Sequence, residues 1–226
     1  MLSRRALLAG TGTVAMASLA GCTDLLTGDI EATAQGIRIS DDAVGATGYH
    51  EEEVESVEID EEITVFGIGA RITASSHFAV YEHAEQIEGE DGEPNSASMV
   101  MAASTPIATI AGQEINPLAN YETTELAEMW AELAEDDDEA DHDYTVEETY
   151  ELTVLGERTD VVKMRVEPAD DADDDPYADA EEGVMHLVTR EHDGDFIIGW
   201  GLYPATHSHL EGEVHTMFEG IDHPVD

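Results

Sequence analysis

The residue best placed to do chemistry is the single cysteine of the chain, Cys22, which follows Leu19, Ala20 and Gly21. A thiol with no second cysteine cannot form an intramolecular disulfide and is a poor start for a structural zinc site. Small residues immediately before a cysteine instead match a lipobox, where a signal peptidase reaches the backbone and the thiol attacks a lipid donor. We therefore expect Cys22 to carry covalent lipid and to become the first residue of the mature chain.

The segment before Cys22 has the features of an export signal. Arg4 and Arg5 stand in the order S-R-R-x-L-L, which is typical of twin-arginine signals, and a short run of small and apolar residues follows. That run is too short to span about 30 Å of hydrocarbon comfortably, and the two arginines should stay on the cytoplasmic side. The predicted organisation is a twin-arginine signal peptide, a lipidated tether and one extracytoplasmic domain on the outer face of the cytoplasmic membrane, over residues 1–21, 22–35 and 36–226.

An acidic segment near residue 175 has the ligand spacing of a calcium loop. The carboxylates at that spacing are those of Asp171, Asp173, Asp175, Asp179 and Glu182. A calcium loop calls for glycine at the position of Pro176, however, and proline cannot take a positive φ. Because the flanking segments also read as strands, a solvated insertion loop is the stronger interpretation and a calcium site is the weaker one.

Histidines are the other candidate ligands. Four of them crowd the C-terminus, at His207, His209, His215 and His223, and an H-x-H pair can chelate zinc or copper. His209 and His215 lie on different faces of a predicted helix, so polar surface histidines are the favoured interpretation. Five further histidines are scattered along the chain and match no triad pattern: His77, His83, His142, His186 and His192. No catalytic residue is predicted.

The excess of acidic residues indicates the salt environment in which the protein folds. The chain has 53 acidic residues against 8 lysines and arginines, for a net charge of −45. Disorder, a basic partner and adaptation to molar salt all fit such a balance. The last fits best, because the acids occupy polar positions throughout and the apolar residues keep strand and helix periodicity. No basic patch is available to release counterions, so nucleic acid is not expected as a partner.

The elements that must position these residues follow from periodicity. Ser40 before two acidic residues predicts a short helix, and residues 49–81 read as strands. Trp200 is expected in the core. A second, clear helix is predicted where apolar residues recur at helical spacing, at Leu126, Met129, Trp130 and Leu133. Trp130 is therefore also expected in the core.

The second half predicts two hairpins and a closing helix. The first hairpin turns at residues 156–157 and the second at residues 193–194, an Asp-Gly pair suited to a type I′ turn. Ser208 and Glu211 form a capping box for the final helix. Its apolar face combines Leu210, Val214, Met217, Phe218 and Ile221. These elements predict an α+β fold in a single domain, with two main helices covering one face of an antiparallel sheet of hairpins.

Short motifs along the chain resemble a known family. The stretches "ASTP", "GQEINPLAN", "TTELAEM", "TVLGERTDV" and "GLYP", together with the twin arginine and "LAGC", resemble haloarchaeal twin-arginine lipoproteins known only as a domain of unknown function, family 6517. The resemblance implies an exported, halophilic, lipid-anchored protein and brings no substrate, cofactor or catalytic residue. The order of elements is also similar to PsbP- or Mog1-like domains, an analogy at fold level.

Two function classes remain open. The favoured hypothesis is a non-enzymatic binding or accessory module, held at the membrane by its lipid and serving an envelope protein or a small solute. The alternative is an extracytoplasmic hydrolase whose site is not visible in the sequence. Apart from the lipid at Cys22 and the weaker calcium hypothesis, no cofactor is predicted.

Overall fold

A computed structural model describes residues 29–65, 68–88, 94–107, 109–110, 113–114, 116–135, 142–168 and 182–225. Within these ranges the strands are β1 (Asp29–Thr33), β2 (Gly36–Ile39), β3 (Tyr49–Val65), β4 (Ile68–His83), β5 (Gln86–Glu88), β6 (Pro94–Ser96), β7 (Met99–Pro106), β8 (Thr109–Ile110), β9 (Gln113–Glu114), β10 (His142–Val154), β11 (Glu157–Pro168), β12 (Gly183–His192), β13 (Asp195–Pro204) and β14 (Ile221–Val225). The α-helices of this part are α1 (Asp41–Ala46), α2 (Thr123–Glu135) and α3 (Glu211–Glu219), with 3-10 segments at Pro117–Asn120 and Ala205–Leu210.

One large sheet organises the described part. Its eight strands run in the order β1-β4-β7-β13-β12-β11-β10, with β3 paired to the other edge of β4. The predicted antiparallel pairing is confirmed for every pair in this sheet except one, because β1 runs parallel to residues 71–75 of β4. The predicted tether covers residues 22–35, and residues 29–33 of that segment form strand β1, which pairs with β4.

The central strands of the sheet are buried on both faces. Along β13, Ile197 and Tyr203 belong to one hydrophobic core, whereas Phe196 and Trp200 belong to a second core. Successive side chains of a strand point to opposite faces, so the two cores lie on opposite sides of the sheet. Helix α3 packs into the first core and helix α2 into the second. The prediction that both main helices cover one face was therefore wrong.

Glycines on β13 let helix α3 approach the sheet closely. A Cβ atom at Gly201 would stand 2.7 Å from Val214 Cγ1, and one at Gly199 would stand 2.6 Å from Val188 Cγ1. Real Cβ atoms essentially never show separations this short, so a larger residue at position 201 would require helix α3 to shift, whereas one at position 199 would displace Val188 of the neighbouring strand β12. The apolar face predicted for α3 is confirmed by the burial of Val214 and its neighbours on the helix.

Two predictions made from adjacent residues, the Ser40 cap and the turn at residues 193–194, are confirmed. Ser40 caps α1, with its Oγ accepting a hydrogen bond from the Ala43 amide at 3.4 Å. The turn at Asp193 and Gly194 has φ angles of 49° and 91°, as a type I′ turn requires. The β10–β11 turn, in contrast, uses Leu155 and Gly156 with φ angles of 51° and 79°, one residue earlier than predicted.

Three expectations about the helices were wrong. No side chain caps α3, because the chain enters it through the 3-10 segment Ala205–Leu210 and Leu210 is the N-cap. Ile221 lies beyond the helix and opens β14, which pairs with β2. Trp130 is 45 % exposed on the outer side of α2. Trp200 is partly buried and packs against the second core, as expected.

Candidate functional site

Polar side chains from four neighbouring strands and helix α3 meet on the first-core face of the sheet. Lys163 and His186 are cross-strand partners on β11 and β12, and His186 in turn faces Gly201 on β13. Because Gly201 has no side chain, helix α3 can lie over this part of the sheet. We call this group the tyrosine–histidine cluster, and its members are Tyr150, Lys163, His186, Tyr203, Glu211 and His215.

Hydrogen bonds join the aromatic members of the cluster into a chain. Tyr150 Oη lies 2.6 Å from His186 Nδ1 and 2.7 Å from His215 Nε2. The other ring nitrogen of His186, Nε2, lies 3.0 Å from Tyr203 Oη. A phenol has one proton to donate, so the Tyr150 hydroxyl donates to at most one imidazole and accepts from at least one of them. Each ring therefore has a fixed orientation.

Burial keeps both imidazoles neutral. Burial, with smaller contributions from the neighbouring His215 and Lys163, lowers the pKa of His186 to about 3. Burial is also the main cause that lowers the pKa of His215, although Glu211 and Glu219 oppose it. Burial raises the pKa of the Tyr150 phenol, which therefore stays protonated. The interior of the cluster thus offers imidazole lone pairs and neutral hydroxyls.

An ion pair stands at the rim of the cluster. Lys163 Nζ lies 3.1 Å and 3.3 Å from the two carboxylate oxygens of Glu211, with side chains 18 % and 33 % exposed. Glu211 and His215 are one helical turn apart on α3, a spacing that brings two side chains onto the same helix face. This ion pair therefore lies between the imidazoles of the cluster and the solvent.

Two groups of described residues have the composition of a metal site. In His186, Glu211 and His215, one ligand atom from each residue lies within 4.8 Å of the others. The second group, His50, Glu52 and Glu82, is largely exposed on the β3–β4 pair. Only the first group combines imidazoles that are held in place by other side chains with a buried setting.

A second histidine network lies at the opposite end of β13. Asp195 Oδ2 accepts hydrogen bonds from the Gln35 amide at 2.7 Å and from His223 Nε2 at 3.1 Å. His223 Nδ1 lies 3.0 Å from His192 Nδ1. Burial is the main cause that lowers the pKa of His223, and Asp195 opposes this shift. These contacts attach β14 to the β12–β13 hairpin and to the segment before β2.

The residues predicted to do chemistry are mostly outside the described ranges. They are Arg4, Arg5, Leu19, Ala20, Gly21 and Cys22 of the export signal and Asp171, Asp173, Asp175 and Asp179 of the acidic loop. Glu182 lies within the described ranges and is exposed, and its Oε1 lies 3.0 Å from Arg165 Nε. Among the helices of the described ranges, none has the length and apolar character that crossing a membrane requires.

The C-terminal histidines divide among the surface, the tyrosine–histidine cluster and, for His223, the buried network around Asp195. His207 and His209 lie at the surface beside Glu85, at 3.8 Å and 3.0 Å. His215 instead points inward to His186, a residue that its sequence spacing had not linked to it. The available signal was the polar residue His186 inside the apolar run "VMHLV". Polar residues buried in such strands need partners.

Comparison with known proteins gives the family. The profile of a family described as "Domain of unknown function (DUF6517)" matches residues 37–222. The chain belongs to this family. All members of the tyrosine–histidine cluster lie inside the part that matches DUF6517, whereas Cys22 and the predicted export signal precede it.

Among solved structures, the DUF6517 chain is similar to the cyanobacterial PsbP protein (CyanoP) from Synechocystis sp. PCC 6803, with a TM-score of 0.40 and 10% sequence identity. That alignment covers 95% of this chain and 98% of the other. No curated protein matches the chain.

Proposed function

We propose that the protein is a lipid-anchored extracytoplasmic binding module of a halophilic cell envelope, with the tyrosine–histidine cluster as its ligand site. The observation that carries the binding role is the burial of the His186 imidazole and the Tyr203 phenol beneath helix α3, where they are hydrogen-bonded in one chain with the half-buried Tyr150 and His215. Apolar side chains would fill the same space without the cost of removing polar groups from water. A binding role accounts for the retention of these polar groups.

The rim of the cluster supports access for a ligand. Lys163 and Glu211 are partly exposed, so one side of the cluster is close to solvent. Charged residues at such a rim can orient a small polar solute or the side chain of a partner protein. An envelope protein and a small solute are therefore the two partner classes that we propose.

The anchor is supported by the sequence around Cys22. Two acyl chains on its thiol would hold the domain at the membrane, since each buried methylene contributes about 0.8 kcal/mol. Arg4 and Arg5 support export of the folded domain by the twin-arginine route. The net charge of −45 supports an environment of molar salt, in which charge repulsion is screened over about 3 Å.

Fractionation of cells that express Cys22→Ser tests the anchor. We expect the variant to leave the membrane fraction for the medium or to accumulate as unprocessed precursor. Thr23→Ala, beside the lipobox cysteine, is the matched control and should remain on the membrane. Membrane-bound and fully processed Cys22→Ser protein would contradict the proposal.

The second candidate function is an extracytoplasmic hydrolase, and the Asp195–His223 pair favours it. A buried carboxylate that accepts a hydrogen bond from histidine is the orienting half of a nucleophilic triad. The position at which a nucleophile would meet His223 Nδ1 is taken by His192, which supports the binding role instead. A fluorophosphonate probe should therefore leave the protein unlabelled. Labelling that Asp195→Asn abolishes would favour the hydrolase.

A further inference from the structure

We propose that His186, His215 and Glu211 bind one divalent transition-metal ion of the zinc, cobalt and copper class. This inference deepens the proposed function, because it names the ligand of the same cluster, and it rests on that function only for the choice of site. Four features of the cluster support metal binding: the donor atoms, their orientation, their hydrogen-bond partners and the surrounding charge.

The donor set selects the class of metal. Two imidazole nitrogens and one carboxylate oxygen are the protein ligands of many zinc centres, and imidazole also suits copper and cobalt. Magnesium and calcium prefer all-oxygen sites. The three donor atoms lie within 4.8 Å of one another. A tetrahedral ion with bonds of about 2.0–2.2 Å needs donors about 3.4 Å apart, so side-chain adjustments of about 1 Å close the site.

The rings already aim at one point. Tyr150 Oη lies 2.6 Å from one imidazole nitrogen and 2.7 Å from the other, so both nitrogens are directed at the position of this oxygen. An ion with metal–nitrogen distances of about 2.0–2.1 Å would take almost the same position. The phenol would then move back. His215 would place its N–H on Nδ1, so that both rings present a lone pair to the ion.

The next layer of contacts is the one that metal ligands require. A histidine that binds metal donates its other N–H to a fixed acceptor, and a carboxylate ligand is hydrogen-bonded in turn. His186 Nε2 has such an acceptor in Tyr203 Oη at 3.0 Å. Glu211 is held by Lys163 Nζ. Both supports are already in place in the described structure.

The charge around the site favours a cation. Acidic side chains act on the cluster from β10 and from α3, at Glu147, Glu148, Glu211 and Glu219. Lys163 is the basic group that opposes them at this site, and it is already paired with Glu211. A doubly charged ion would therefore enter a negative field, within a chain whose net charge is −45.

Zinc titration of the full-length lipidated protein tests the inference. The protein is purified in detergent and molar potassium chloride, treated with a chelator, and titrated calorimetrically with zinc chloride. Excess calcium and magnesium are present to occupy the exposed carboxylates. We expect one tight zinc ion per chain. His215→Ala and Glu211→Gln should each weaken binding by about 100-fold or more, since even loss of a supporting contact costs about 10–100-fold.

A control variant outside the cluster makes the result specific. His209→Ala removes an imidazole that is 58 % exposed on the neighbouring 3-10 segment, and it should leave zinc affinity unchanged. Circular dichroism confirms that each variant is folded.

Either of two results would overturn the inference: no saturable zinc binding to the parent protein, or equal affinity in the folded His215→Ala variant. None of these results depends on where the protein is located in the cell. Failure of the anchor is detected separately, by fractionation of Cys22→Ser. The two proposals can therefore fail independently.

Discussion

Protonation of His186 should destabilise the fold as the pH falls. The folded protein holds the pKa of this buried imidazole at about 3, whereas an unfolded chain returns it to about 6.5. The unfolded state therefore binds the proton more tightly. The stability contribution of neutral His186 is complete above about pH 6.5 and is lost progressively as the pH falls towards 3.

The size of the effect follows from the two pKa values. Between pH 7 and pH 4 the difference in protonation free energy is about 3 kcal/mol, at 1.36 kcal/mol for each unit of pKa shift. This is a large part of the stability of a typical domain, which is about 5–15 kcal/mol. Many carboxylates also titrate in this range, so the test must isolate the one imidazole.

His186→Gln isolates it, because glutamine keeps a donor and an acceptor for the two tyrosines and does not titrate. Denaturant unfolding in molar salt with a chelator gives the free energy of unfolding of both proteins at pH 7 and pH 4. The advantage of the parent over His186→Gln should shrink by about 3 kcal/mol at the lower pH. His50→Gln, on exposed β3, should show no such change. A gap of equal size at both pH values would refute the reasoning.

Three other predictions concern packing, salt and the second histidine network. Gly201→Ala should lower the free energy of unfolding by about 1–3 kcal/mol, because its Cβ would stand 2.7 Å from Val214. A Cβ at position 212 would meet no atom within 4 Å, so Gly212→Ala should not destabilise the protein. Equal free energies of unfolding for the two variants in chemical denaturation would contradict this. Dialysis below about 1 M salt should remove cooperative unfolding, because repulsion is no longer screened, and a well-folded protein at 50 mM salt would count against halophilic adaptation. Asp195→Asn should weaken the attachment of β14, seen as faster amide exchange on that strand and at the Gln35 backbone amide, which donates to the same carboxylate, and unchanged exchange would show that the carboxylate is not needed there.

Local sequence chemistry predicted those elements whose conformation depends on a few adjacent residues. The Asp193-Gly194 turn was predicted because both residues tolerate positive φ. The β10–β11 turn was misplaced by one residue, because Leu155 adopts a positive φ that leucine rarely takes. The neighbouring glycine therefore marked the turn but not its register.

Layering of the fold was harder to predict. The run "FIIGWGLYP" is apolar at both odd and even positions, which is typical of a strand buried on both faces. That pattern predicts helices on opposite faces, whereas the hairpin pattern alone favoured one covered face. Trp130 fits the helical repeat of α2, but it lies on the exposed side, where its ring packs against Tyr144 at 6.1 Å.

The cluster itself depends on contacts between distant parts of the chain. Tyr150, His186 and His215 are separated by tens of residues, and of the three only His186, inside the apolar run "VMHLV", stands out in its local sequence. Cross-strand register and the close approach of α3 at Gly201 bring them together. Sequence periodicity assigns residues to faces, but it does not fix which strands are neighbours, so the convergence became visible only with the fold.

The most direct test of the binding site is anomalous X-ray scattering from crystals of the protein soaked in zinc at neutral pH. The account predicts one strong peak at the zinc edge, bonded to His186, His215 and Glu211, with the Tyr150 hydroxyl moved back from its position between the imidazoles. A map whose peaks lie only on exposed carboxylates, with Tyr150 still joining the two histidines, would contradict it.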